Sequence, residues 1–211
     1  MTSFYRKKNV AIFISGRGSN MMALIKDMQN EKEHPGHPKL VVSNNINAEG
    51  LVFAKQHSIE TFTFNVEKNQ DMSVFEEKTL HILKKKKIDL VCLAGFMKIL
   101  SENFIKSFSK PILNIHPSLL PSFRGLNTHQ RALNAGCLIH GATVHQITKD
   151  LDNGPILGQV IMKIAVKTTA KKMEKDLLPK EHLLYKTVLR EFLKEKGRKI
   201  LLIDPEVEPQ N

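Results

Sequence analysis

Short apolar runs alternating with longer mixed segments set the tightest limit on how this chain can fold. Residues 9–15, 39–43, 61–64, 90–93 and 112–116 each read as a strand. After the first strand, Met22, Leu24, Ile25 and Met28 recur at helical spacing, and helices are expected over 48–57 and 72–86 after the second and third. Strand, loop, helix, strand is the order of a βα unit, which lays its strands parallel and covers both faces with helices. The expected fold class is therefore α/β, with a Rossmann-like, mostly parallel twisted sheet.

The pattern changes after 117–121. A helix over 128–135 leads to two β-rich runs, 143–147 and 156–166, joined by the turn-forming stretch 150–155, which fits an antiparallel addition to the sheet. Residues 174–196 are apolar at Leu177, Leu178, Leu184, Val188 and Phe192, and Pro179 predicts a break or kink near the start of that helix. The block Lys84 to Lys87 suits a solvated helix end, and 204–211 reads as disordered. A length of 211 residues is that of one large domain, so 1–211 is expected to form a single domain with an N-terminal part, 1–108, and a C-terminal part, 109–211.

Composition narrows the functional classes. Hydrophobic residues make up 41% and charged residues 25%, as in ordinary globular chains, and no apolar run nears the roughly 18 residues of a membrane span. A secretory signal is not expected either. Cys92 and Cys137 have no companions at metal-ligand spacing, which points to a reduced, cytoplasmic setting. The formal charge of +11 favours anionic partners. Nucleic acid is not expected among them, because the cations are scattered, Trp is absent and only 2 Tyr are available for stacking.

Three places could carry chemistry. Ser15-Gly16-Arg17-Gly18-Ser19-Asn20 joins a strand to a helix, where backbone amides and the helix dipole can hold a phosphate; the alternative is a tight turn capped by Ser19 or Asn20. A dinucleotide is disfavoured, since Ser43-Asn44-Asn45 lacks the acid that would grip a ribose. Asn114 and His116, two apart on a strand, share one face at its carboxyl end, and Asp152 lies in the turn before Gly154-Pro155. Amide, imidazole and carboxylate together could stabilise an oxyanion and move a proton, against the plainer alternatives of a backbone-satisfied histidine and a turn-forming aspartate. Among the remaining histidines, His140 and His145 are expected on opposite faces of a strand, which disfavours zinc, and His34 and His37 in a solvent-exposed loop. Residues 94–100 could wall a flat aromatic ligand, although composition favours plain core.

Several segments together resemble the phosphoribosylglycinamide formyltransferase family of purine synthesis. They are Ile14 to Asn20, Leu93 to Leu100, Asn114-Ile115-His116-Pro117-Ser118-Leu119-Leu120-Pro121, His129 to Leu133, His140 to His145, and Asp150 to Pro155. The resemblance implies formyl transfer from 10-formyltetrahydrofolate, as co-substrate, to the amine of 5-phosphoribosylglycinamide. It gives Arg17, Gly18, Ser19 and Asn20 to the substrate phosphate and Glu181 to the ribose hydroxyls. Met97, Lys98, Ile99 and Leu100, with Ile147, Thr148, Lys149, Asp150 and Leu151, are given to the folate. It also implies a cis bond before Pro121, no metal, and a monomer or homodimer. Asn45, Asn127 and Asn153 depart from the family pattern, as does the basic stretch 168–172, and the arginine often found before the helix at Met72 is missing.

The implied chemistry follows from the groups. Attack by the neutral amine on the formyl carbon makes an alkoxide, for which Asn114 and His116 would be donors, each such donor being worth ~3 to 4 kcal/mol. Asp152 would hold His116 in its charged form and order a water that carries the proton from the amine to the leaving nitrogen. The main alternative is a 10-formyltetrahydrofolate hydrolase, disfavoured by Pro117 after His116, where hydrolases tend to show a second histidine, and by the start of the phosphate loop at Ser15. Transfer-RNA formylation would need a further RNA-binding domain, and a nucleotide-binding module without catalysis would not need Asn114, His116 and Asp152.

Overall fold

The computed structural model describes residues 6–64, 72–195 and 197–207. The chain divides into two compact units, Met1–Leu113 and Asn114–Asn211.

In the first unit, β1 (Lys8–Ile14), α1 (Ser19–Asn30), β2 (Gly36–Ser43), α2 (Gly50–Gln56), β3 (Glu60–Thr63), α3 (Ser73–Lys85), β4 (Leu90–Leu93) and α4 (Glu102–Phe108) follow one another. β1 pairs in parallel with β2 on one side and β4 on the other, and β2 pairs in parallel with β3, as expected of βα units. Val10 to Ile14 are fully buried without alternation, the mark of a strand covered on both faces. α1 buries Met21, Leu24, Ile25 and Met28, an i, i+3, i+4, i+7 stripe; Met21 takes the place the sequence reading gave to Met22. Each such side chain contributes roughly 1.5–3 kcal/mol when taken from water. α3 ends at Lys84 and Lys85, so the lysine block does lie at a helix end.

α4 was not expected. Ser101 caps it, its hydroxyl accepting from the Phe104 amide, and the buried Glu76 of α3 accepts from both the amide and the hydroxyl of Ser101 at 2.7 and 2.5 Å. Three bonds converge on one cap, which makes up for a helix of only seven residues.

β5 (Ile112–His116) runs across the boundary into the second unit, which continues with α5 (Thr128–Asn134), β6 (Ile139–Gln146), β7 (Ile156–Lys163), α6 (Ala170–Leu193), β8 (Ile200–Ile203) and a short 3-10 helix, Pro205–Val207. β6 and β7 are antiparallel, as expected, and β8 adds a parallel strand on the far side of β7. β6 starts four residues earlier than the sequence suggested and β7 stops at Lys163 rather than 166. α6 does not break at Pro179: the ring lies on the exposed face, while Met173, Leu177, Leu184, Tyr185, Val188 and Leu189 bury the other. That apolar stripe holds the helix through the missing amide. Of the tail expected to be disordered, Pro205–Val207 are helical, and 208–211, like Lys196, lie outside the described residues. Leu120–Pro121 is cis, as expected. No helix among the described residues is long and apolar enough to cross a membrane.

Candidate functional site

The carboxyl end of β5 carries Asn114 and His116, and the loop between β6 and β7 brings Asp152 to them. Asp152 adopts a left-handed backbone, φ 48°, and is only 7% exposed. Its Oδ2 accepts from the Gly125 amide at 2.9 Å and lies 3.4 Å from Nδ1 of His116. The loop can pass this close because residue 154 is glycine: a Cβ there would stand 1.7 Å from the Gln146 carbonyl oxygen. His116 is buried, and its Nε2 lies 3.0 Å from the Phe123 carbonyl, which can only accept, so this nitrogen donates. Both ring nitrogens therefore have partners. Donation from Nε2 to a substrate oxygen requires the Phe123 contact to be given up.

His145, which the sequence reading considered only as a metal ligand, belongs to the same cluster. Its Nε2 is 3.3 Å from Nδ2 of Asn114 and 3.6 Å from Oδ1 of Asp152, while its Nδ1 faces the Gln146 carbonyl at 3.3 Å. Burial lowers the pKa of His145 below the usual histidine value, opposed by the Asp152 carboxylate and the Gln146 carbonyl. A neutral ring with its proton on Nδ1 accepts from the Asn114 amide and fixes which way that amide points. A register shift between Val144 and His145 interrupts the strand alternation on which the expectation of opposite faces for His140 and His145 rested. His140 is also buried, with Nε2 3.0 Å from Nδ1 of His129. Burial first, then His129, pushes the His140 pKa down to about 4. No group of three metal-ligating side chains occurs among the described residues.

The 118–122 stretch is strapped from behind. The Thr143 hydroxyl donates to the Ser118 carbonyl at 2.7 Å and accepts from the Leu120 amide at 3.0 Å, and Nε2 of Gln159 reaches both Thr143 Oγ1 and the Leu120 carbonyl at 3.0 Å.

In the first unit, the loop 15–20 opens onto a depression of about 280 Å³ that Ala94, Gly95 and Met97 also line. Gly18 has φ 70° and stands at the N-cap of α1. Arg17 is exposed; Ser19 and the buried Asn20 begin the helix. Of the residues expected at the folate, Met97 and Ile99 are 69% and 72% exposed, Lys98 is half-buried and Leu100 buried. Within 94–100 the compositional preference for core thus holds for Ala94 and Leu100 and in part for Phe96, but not for Met97 and Ile99. In the second unit Ile147 and Thr148 are half-buried, Lys149, Asp150 and Leu151 are exposed, and Glu181 is half-buried on α6.

The three departures from the family pattern all have local roles. Asn45 donates to the Ser15 carbonyl at 3.2 Å, Asn127 takes φ 57° before α5, and Asn153 accepts from Arg124 at 2.6 Å. The expectation of an exposed His34 is wrong: it is 1% exposed, its Nδ1 accepts from the Gly36 amide and its Nε2 faces the buried Asp27 at 3.4 Å. His37 is exposed but lies within β2 rather than in a loop.

A half-buried amide, two buried imidazoles and a buried carboxylate at the carboxyl end of a strand are groups that could serve acyl-type transfer. The family model described as Formyl transferase matches residues 8–189, and the chain belongs to that family. It is 38% identical over 188 residues to the phosphoribosylglycinamide formyltransferase of Haemophilus influenzae, covering 88% of this chain and 87% of that protein. The human trifunctional purine biosynthetic protein adenosine-3 is 38% identical over 189 residues, 89% of this chain. The chain spans only 18% and 19% of the bovine and human trifunctional proteins. A crystal structure of phosphoribosylglycinamide formyltransferase from Anaplasma phagocytophilum superposes with a TM-score of 0.86 at 35% identity, over 94% of this chain and 99% of that one.

Proposed function

We infer that this chain transfers the formyl group of 10-formyltetrahydrofolate to the amine of 5-phosphoribosylglycinamide, a step of purine biosynthesis. The observation that carries the reading is the convergence of Asn114, His116, His145 and Asp152 within hydrogen-bonding or near-bonding distance at the end of β5. Asn114, its amide oriented by His145, aims an N–H at the oxygen that gains charge as the amine adds to the formyl carbon. His116 supplies a second donor when Nε2 leaves the Phe123 carbonyl for that oxygen. Asp152 orders the water that takes the amine's proton to the leaving nitrogen. The Asn114 donor is fixed before reaction begins, so little reorganisation opposes it, whereas His116 must first break its bond to Phe123.

Binding roles follow the same reading. Residues 1–108 hold the phosphorylated amine, with Arg17, Gly18, Ser19 and Asn20 on the phosphate, and 109–211 carry the catalytic groups, with Glu181 on the ribose hydroxyls. The exposed apolar side chains of Met97 and Ile99 suit a flat ring, with Lys98 and Leu100 beside them; Ile147, Thr148, Lys149, Asp150 and Leu151 contribute to the folate as well. No step asks for a metal. The enzyme works on two small molecules in the cytoplasm, as a monomer or homodimer and without nucleic acid.

The test is incubation with 10-formyltetrahydrofolate and 5-phosphoribosylglycinamide, following folate absorbance with each substrate omitted in turn. Release of tetrahydrofolate only when both are present is expected. Release without the amine would make the protein a hydrolase and overturn the reading.

A further inference from the structure

The geometry points to Ser15 as a positioning residue that fixes the stretch 97–100 and so sets affinity for the folate, although Ser15 itself belongs to the anion loop. The inference rests on assigning phosphate to Arg17, Gly18, Ser19 and Asn20, after Ser15, and folate to residues 97–100. All three polar groups of Ser15 are engaged, in four hydrogen bonds that lead to the ends of two neighbouring strands. Its amide donates to the Gly95 carbonyl at 3.1 Å, after β4, and its carbonyl accepts from Nδ2 of Asn45 at 3.2 Å, after β2. The hydroxyl has one proton, and this goes to Oδ1 of Asn44 at 2.6 Å. A lone pair is thereby left facing the Met97 amide, which donates to Oγ at 2.8 Å.

Asn44 is only 8% exposed, so the acceptor that turns the hydroxyl is itself held. Met97, by contrast, has a side chain with 69% of its surface in solvent and owes its place to its backbone. The geometry of the anion loop is secured separately: Gly18 supplies the left-handed turn, its carbonyl accepts from the Met22 amide at 2.9 Å, and the Gly16 carbonyl accepts from the Gly50 amide at 3.2 Å. Removing the Ser15 hydroxyl therefore leaves the phosphate loop in place and releases Met97. Ser15, Gly95 and Met97 line the same depression, which puts the released segment beside the loop.

The experiment is steady-state kinetics of Ser15→Ala, Ser15→Thr and Asn44→Ala with each substrate varied. In Ser15→Ala the KM for 10-formyltetrahydrofolate rises about tenfold, equivalent to about 1.4 kcal/mol, while kcat and the KM for the phosphorylated amine stay within about twofold of the parent. Ser15→Thr, which keeps the hydroxyl, restores the folate KM. Asn44→Ala, which leaves the hydroxyl unaimed, shows the same one-sided defect. Equal rises in both KM values, a rise confined to the amine, an unchanged folate KM, or a threonine variant that fails to recover each overturn the assignment. Amide hydrogen exchange on the ligand-free protein separates this from the functional reading. Faster exchange at Met97 in Ser15→Ala, with α1 unchanged, is expected whether or not the parent protein transfers a formyl group, and unchanged exchange at Met97 defeats the inference. A parent protein without transfer activity defeats the functional reading alone.

Discussion

The Asp152 carboxylate meets two imidazoles and one amide, and each contact asks for something different. Toward Gly125 it is an acceptor that any oxygen at that spot could replace; toward His116 and His145 it is a charge. Asp152→Asn separates these, because asparagine tolerates a left-handed backbone and keeps one oxygen. Single-turnover transfer by Asp152→Asn falls by roughly 10²–10⁴-fold with both substrates bound nearly as before. His116→Ala behaves alike, and the double variant loses much less than the product of the single losses. Strictly multiplicative losses would show separate roles. The pair His129 and His140 gives a different prediction. Its native His140 has a pKa of about 4, below the unfolded value of 6.5, so the unfolded chain binds more protons between these pH values. The stabilisation is whole above pH 6.5 and drains away as pH falls towards 4. Urea midpoints measured across that window decline with acid, and His140→Gln flattens the decline.

Among the elements, the anion loop shows how much a single backbone torsion carries. Valine at 18 must adopt φ near 70°, and its Cβ meets Met21 Cε at 3.2 Å and Ile14 Cγ2 at 3.4 Å. A β-branched residue in the left-handed region costs roughly 1–2 kcal/mol, and the branch stands where an anion would approach the amides. Calorimetry of Gly18→Val is expected to show the phosphorylated amine weakened far more than the folate; equal loss of both would indicate general misfolding. Most of the elements could be read from the chain because apolar period and turn residues agree, as they do for α1 and for β4. What escaped was fixed by partners distant in sequence. β8 is a four-residue apolar run, Ile200–Ile203, and pairing with β7 places it in the sheet. α4 is seven residues long and depends on Glu76, 25 positions away from Ser101. His145 escaped for a related reason: strand periodicity assigns a face, and a register shift between Val144 and His145 cancels that rule at one residue.

At the scale of the molecule, with the two anionic substrates proposed for it, a charge of +11 makes long-range attraction part of binding. KM values for both substrates are expected to rise as potassium chloride is raised from about 0.01 to 0.5 M, a range over which the screening length shrinks from roughly 30 Å to under 8 Å. A kcat that fell in parallel would point to unfolding instead. The position of Asp152 has a meaning beyond the reaction. A left-handed backbone is a place that folding alone would give most readily to glycine, and aspartate holds it at some conformational cost. On the proposed function, replacing this acid would relieve that backbone cost while removing the reaction. On that reading the residue found at 152 in any descendant of this chain records whether selection still maintains the chemistry, and a sequence that keeps the fold but not this acid would have left its trade.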